Sequence, residues 1–379
     1  MVDERILAER LIRYDTSRTE ELQAAAGFVR GWLESRDIEV IEHDHNGMPL
    51  LVVEVGAPIG EVPCVVFHGH LDVVPGRPEQ FEPRVEGDRL IGRGAYDMKG
   101  GLAAMMCALT DVERQERVHV RFVCVPDEES EELDLRSTDA FVASGKGGDF
   151  AITGEPTDMH IGVEAKGVLA MWIAVHGRAA HSSTPWLGDN AILKAVDVFR
   201  TIEALPFMRE SSQMFDRPSI NLGRIAGGDA LNKVPDHCAM SVDVRYLPGQ
   251  DPAEILTAVR AIPEIEVQRT FIHPPVTVSP SDPYVRALRD AVSRASREEV
   301  LSVGRDGASD AASFIEAGIP AVEFGPSGAG HHGPEEWVSV AALARYRRAL
   351  ADFVRVLPLW LQDGTAPHGN LRSLEGGLL

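Results

Sequence analysis

Five places in the chain gather imidazoles and carboxylates where an apolar run stops. They are His68, His70 and Asp72 in "VFHGHLDVVP", Asp97 in "GRGAYDMKGG", Asp127, Glu128 and Glu129 in "CVPDEES", Glu155 in "TGEPT", and His331 and His332 in "GHHGPEEWV". No thiolate stands among them. Such a set suits Zn²⁺, and also Mn²⁺ or Co²⁺. Several carboxylates together suit a two-metal site, in which one carboxylate bridges cations about 3.5–4 Å apart. Taken singly, each group reads better as a polar turn or a solvated loop. The acids that stop "VRFVCV" weigh the other way. Like charges gathered at the end of a core strand are unfavourable unless a cation neutralises them.

These groups can converge only if the elements before them lie side by side. Apolar periodicity predicts helices over the segment to about Asp15 and from Glu21 to Glu34. "IEVIEH" and "PLLVVEV" read as strands around the turn Asn46-Gly47. "VPCVVFHGH", "VHVRFVCVPDEE" and "GGDFAITGEPT" read as further strands, and "LAAMMCALTDVERQ" as a helix. Strands alternating with helices imply an α/β domain with a largely parallel sheet, whose ligand sites form outside the carboxyl ends of its strands. Near residue 166 the character changes: two helices among about four antiparallel strands imply a small α+β domain. "HPPVTVSPSDP" reads as the return linker, after which the helix–strand rhythm resumes. The expected layout is a discontinuous α/β domain, residues 1–166 and 278–379, with an inserted α+β domain, residues 167–277. After about Leu361 the chain loses periodicity and reads as a loose tail.

The bulk numbers restrict the partners. The 379 residues carry a formal net charge of -21, which disfavours polyanions such as nucleic acid and anionic membranes. A small anionic substrate stays open, because a local arginine can dominate one pocket. The charged start "MVDERILAERLIRYDTS" is expected not to be a signal peptide, and no apolar run is long enough to span a bilayer. Cys64, Cys107, Cys124 and Cys238 form no C-x-x-C pair and read as buried free thiols, so a cytoplasmic location is expected.

Read together, "GHLDVVP", "GRGAYDMKGG", "PDEES", "GEPT", "GRAAHSSTP", "NKVPDHCAMSVDVRYLPG", "GASDAASF" and "GHHGPEEWV" resemble the dinuclear-zinc peptidase/deacylase family of acetylornithine deacetylase, succinyl-diaminopimelate desuccinylase, aminoacylase and glutamate carboxypeptidase. The motifs follow the family's order over nearly the whole chain. The resemblance implies a zinc-binding α/β catalytic domain with an inserted lid that dimerises, and two Zn²⁺ per subunit, with Co²⁺ or Mn²⁺ possible. It implies that His70 and Glu155 hold one cation, Glu129 and His332 the other, and that Asp97 bridges them. Asp72 would orient His70, and Glu128 would be the general base. A cis peptide would follow Asp97. His68 and His331 would be site-wall residues rather than ligands. From the lid, His181 would reach the partner subunit's site and stabilise an oxyanion, while Asn232 and Arg245 would bind substrate. The loop with Ser309 and Asp310 would lie at the pocket without a catalytic role.

The implied reaction is hydrolysis of the amide bond of an N-acyl amino acid. A metallo-exopeptidase, either a dipeptidase or a carboxypeptidase acting on short peptides, would use the same site. A catalytically silent metal- or peptide-binding protein on this fold is the third reading. Its weakness is that Glu128 and all five implied ligands are present.

Overall fold

A computed structural model describes residues 3–60, 62–130, 136–296 and 298–363. The chain divides into two compact units. One is Met1–Gly162 with Val278–Ser302 and Ser313–Leu379; the other is Val163–Thr277 with Val303–Ala312.

The first unit is organised by a sheet whose four central strands run parallel, in the order His119–Val125, Cys64–His70, Phe150–Thr153 and Ala321–Glu323. Every residue of these strands is buried. That is the state of a parallel sheet covered on both faces. Even Arg121 lies inside, its guanidinium Nε donating to Glu54 Oε1 at 2.8 Å. The hairpin Val40–His45 and Met48–Gly56 adds an antiparallel edge. Its turn residues Asn46 and Gly47 have φ of 54° and 83°, the left-handed pair that a two-residue hairpin turn demands.

Helix Lys99–Val112 is buried on nearly all sides, as befits a core helix. It packs on the long helix Val340–Asp363, which also packs on Pro283–Ser296. The long helix runs on through Pro358 to Asp363; the tail beyond it, from residue 364, lies outside the described residues. A small antiparallel sheet of short strands, in the order Gly328–Ala329, Trp337–Ser339, Arg89–Ile91 and Arg84–Glu86, has no counterpart in the sequence reading. Strands of two or three residues carry too little alternation to be seen as a pattern.

The second unit is a four-stranded antiparallel sheet, in the order Ser219–Gly227, His237–Tyr246, Gly167–His176 and Ile265–His273. Strand His237–Tyr246 alternates buried and less buried positions, so only one face is packed. Helices Ala191–Glu203 and Pro252–Arg260 contribute Ala195, Val198, Ile202, Ile255 and Val259 to its core. Asn190 caps the first helix through Ile192 N and Leu193 N, and Asp251 caps the second through Ala253 N.

The sequence reading placed residues 303–312 in the first unit; they cluster with the second. The reason is local: Lys166 N donates to Arg305 O at 3.1 Å, and Lys166 Nζ meets Asp306 at 2.7 Å. No helix among the described residues is long and apolar enough to cross a membrane.

Candidate metal centre

His70 is the last residue of a parallel strand. Glu128 and Glu129 follow the neighbouring strand His119–Val125, and Glu155 follows Phe150–Thr153. These three positions obey the rule for strand carboxyl ends. Asp97 and His332 do not. Asp97 lies between the short strand Arg89–Ile91 and helix Lys99–Val112, and His332 lies in the loop between Gly328–Ala329 and Trp337–Ser339. The small sheet therefore carries the other side of the cluster. The peptide Asp97–Met98 is cis, as the resemblance implies.

The groups meet within the first unit. Asp97 faces both imidazoles: Oδ1 lies 3.1 Å from His70 Nε2 and Oδ2 lies 3.3 Å from His332 Nε2. Glu129 Oε1 is 2.7 Å from His332 Nε2, and Glu155 Oε1 is 3.7 Å from His70 Nε2. Three triads bring their potential ligand atoms within 4.8 Å of one another: His70/Asp97/Glu155, Asp97/Glu129/His332 and His70/Glu128/Glu129. Glu128 also has a cationic neighbour, Arg136 Nη1 at 3.7 Å.

Asp72 does more than the resemblance implies. His70 Nδ1 lies 3.0 Å from the Asp72 backbone carbonyl and 3.4 Å from its carboxylate. The same carboxylate accepts from Glu128 N at 3.2 Å and Glu129 N at 2.7 Å. Asp72 thus holds the imidazole and the acidic turn together. Fixing the far nitrogen of a ligand histidine is the usual work of a carboxylate or carbonyl behind it. His68 turns elsewhere, with Nε2 2.8 Å from Thr138 Oγ1 and its ring edge-on to Phe314. His331 packs edge-on to Tyr96 and His332.

The electrostatics are those of a site built for positive charge. Burial works against a charged imidazole at His70, but hydrogen bonds with Asp72 and Asp97 hold its pKa well above the ordinary value. Hydrogen bonds with Asp97 and then Glu129 raise that of His332 to about 10. Burial, followed by the charge of Asp97, pushes Glu155 well above the usual carboxylate range. Burial would raise Asp97 too, yet hydrogen bonds from His332 and His70 keep it below that range. The donor set of imidazole nitrogens and carboxylate oxygens fits a divalent cation of the zinc or manganese kind.

One consequence is measurable. With both imidazole pKa values raised, a cation held by these two rings would have to displace protons from them. Binding should therefore release protons and tighten as pH rises. Titration of metal-free protein with Zn²⁺ in weak buffer, followed by an indicator dye, should show the release; a proton-neutral titration would contradict it.

The remaining expected site residues belong to the second unit. His181 is exposed; its Nδ1 accepts from Ser183 N at 3.2 Å and lies 2.8 Å from Ser183 Oγ. Asn232 is on the adjoining loop, its carbonyl accepting from Ser182 N at 3.0 Å. Arg245, on the strand His237–Tyr246, is half-buried and donates through Nε to Asp243 at 3.1 Å. Ser309 and Asp310 are buried in the same unit. Two residues to which the sequence reading gave no role, Arg93 and Glu336, lie buried beside the cluster. Their motifs "GRGAYD" and "GPEEW" adjoin Asp97 and His332, and that adjacency was the available signal.

The resemblance read from the motifs holds against known proteins. The model of peptidase family M20/M25/M40 matches residues 66–356, a stretch that runs from before His70 to beyond His332. Succinyl-diaminopimelate desuccinylase of Halorhodospira halophila is 29% identical over 358 residues, covering 89% of this chain and 91% of that protein. In three dimensions the chain is similar to the M20 family metallo-carboxypeptidase Sso-CP2 of Sulfolobus solfataricus, with a TM-score of 0.77 at 18% identity, covering 95% of this chain and 100% of that one. It is similar also to the aminopeptidase PepT of Bacillus cereus, with a TM-score of 0.76 at 20% identity, covering 94% and 99%. Motif order, a mostly parallel α/β unit and a separate four-stranded antiparallel sheet, and a family match over most of its length lead to one assignment: this chain belongs to the peptidase family M20/M25/M40.

Proposed function

We propose that the protein hydrolyses the amide bond of an N-acyl amino acid with a pair of divalent cations, zinc by preference. The observation that supports this reading most directly is the Asp97 carboxylate, which turns one oxygen to each of two imidazoles. His70 and Glu155 would hold one cation, Glu129 and His332 the other, and Asp97 both. When bound, the cations would polarise the scissile carbonyl and bring the pKa of a water towards ~7.

The chain's own groups do the rest. Glu128 removes the proton from the attacking water and returns it to the departing nitrogen. It is suited to this because its backbone is pinned by Asp72 and its carboxylate shares a triad with His70 and Glu129. His181 donates to the oxyanion. With Ser183 N donating to Nδ1, the ring proton sits on Nε2, where it can be presented outward. Asn232 and Arg245 bind the substrate, and Arg245 grips its free carboxylate, exchanging Asp243 for it.

His181 acts in this scheme on a partner subunit, so the second unit is also the dimerisation unit. Its edge strand Ser219–Gly227 is mostly exposed, and helix Ala191–Glu203 shows Leu193 at 65% and Val196 at 43% exposure. An open edge and an apolar helix face are what a second copy would cover. Leu193→Glu with Val196→Glu should give a monomer by light scattering, with zinc binding intact and turnover lost. A fully active monomer would refute the role of His181 across subunits.

The deciding experiment is a panel of N-acetyl and N-succinyl amino acids against dipeptides, on metal-reconstituted protein, read by amine release. Turnover of acyl amino acids well above dipeptides is expected. Preference for dipeptides would make the protein an exopeptidase, and bound zinc without turnover across the panel would make it a binding protein.

A further inference from the structure

Glu336 and Arg93 form an ion pair in the interior, 1% and 4% exposed. Such a pair is weak evidence of stabilisation, because desolvation offsets most of the attraction. Its hydrogen bonds say what it does instead. Glu336 Oε1 accepts from Tyr96 N and Asp97 N, both at 3.0 Å. Oε2 accepts from Gly94 N at 3.0 Å and Arg93 Nη1 at 2.9 Å. One carboxylate thus gathers three amides of the turn that presents Asp97. The other arm of the guanidinium, Nη2, donates to the His332 carbonyl at 3.3 Å. That carbonyl belongs to a residue with φ of 59°, a left-handed conformation that a non-glycine residue adopts only when its surroundings hold it there. Gln80 adds a second tie to the same loop, its Nε2 donating to Gly333 O at 3.1 Å.

We infer that Arg93 and Glu336 are a positioning pair that sets the distance between Asp97 and His332, and so the affinity of the cation site those two residues share with Glu129. The inference rests on the ligand assignment proposed above. Neither residue reaches the cluster itself. They act through the backbone of the two segments that carry its small-sheet side. Arginine suits this, since its planar fork holds two donors at a fixed spacing, one for the carboxylate and one for the carbonyl.

Glu336→Gln tests it with little change of shape. An amide oxygen can still accept from two donors, but its NH₂ group then faces donors on the other side. Arg93→Lys keeps the charge and loses the fork, and it carries the test if Glu336→Gln does not fold. The probes are Zn²⁺ alone, by competition with a chromophoric chelator, and the visible absorption of Co²⁺-loaded protein. Wild type is expected to bind two equivalents. In both variants at least one equivalent should weaken by about 10–100-fold, with an altered Co²⁺ band, while the metal-free far-UV circular dichroism stays that of wild type. Two equivalents bound with wild-type affinity and spectrum in both variants would overturn the positioning role and leave the proposed function standing. A wild-type protein that binds no Zn²⁺ would overturn the ligand assignment and, with it, this inference.

Discussion

Glu128→Gln should lower turnover by roughly 10²–10⁴-fold, the contribution of a general base, and leave about two zinc ions per chain. The two readouts separate because Glu128 stands beside the proposed ligand set rather than within it. Glutamine keeps the length and shape of the side chain, and the Glu128 amide that Asp72 accepts from is untouched. What is lost is a group able to take a proton. The comparison should be made at saturating substrate on metal-reconstituted protein, with zinc measured on the same samples. Full activity would remove Glu128 from the mechanism, whereas loss of zinc together with activity would recast it as a ligand.

Asp97→Ala should have the opposite signature: metal and activity fall together, for both cations at once. The carboxylate meets two imidazoles from two segments, at 3.1 and 3.3 Å. Losing a group that the proposal gives to both sites should cost more than the roughly 10–100-fold in affinity that follows loss of an outer partner. Asp97→Asn should be intermediate, because an amide oxygen can face one site while the NH₂ group faces the other. Zinc content after gel filtration, with circular dichroism to confirm folding, reads the series. Two full equivalents in Asp97→Ala would sink the bridging assignment.

These predictions stand on residues that the sequence made conspicuous for a physical reason. His70 ends an apolar strand, and Glu129 and Glu155 each follow one, where a polar or charged group is out of place unless something receives it. The helix–strand rhythm pointed to the parallel sheet, and the two helices among about four strands pointed to the α+β second unit. The Asn46-Gly47 hairpin was legible because its two left-handed residues have few substitutes. Other features depend on backbone groups, which every residue carries and no sequence displays. The amides gathered by Glu336, and those of Glu128 and Glu129 held by Asp72, belong here. The small sheet was hidden by the shortness of its strands. Residues 303–312 were misplaced because their tie to Lys166 runs through a backbone carbonyl and a single exposed aspartate.

That last tie has a consequence for anyone who would take the molecule apart. The chain passes between its two units at 162/163, 277/278, 302/303 and 312/313. The second unit is thus assembled from a long segment and a short one that lie apart in sequence. A transplant of residues 163–277 alone from a relative would leave ten native residues, 303–312, facing a foreign neighbour. Chimeras within this family should exchange both segments together, with the Lys166–Asp306 pair and the Arg305 carbonyl contact carried over as one piece.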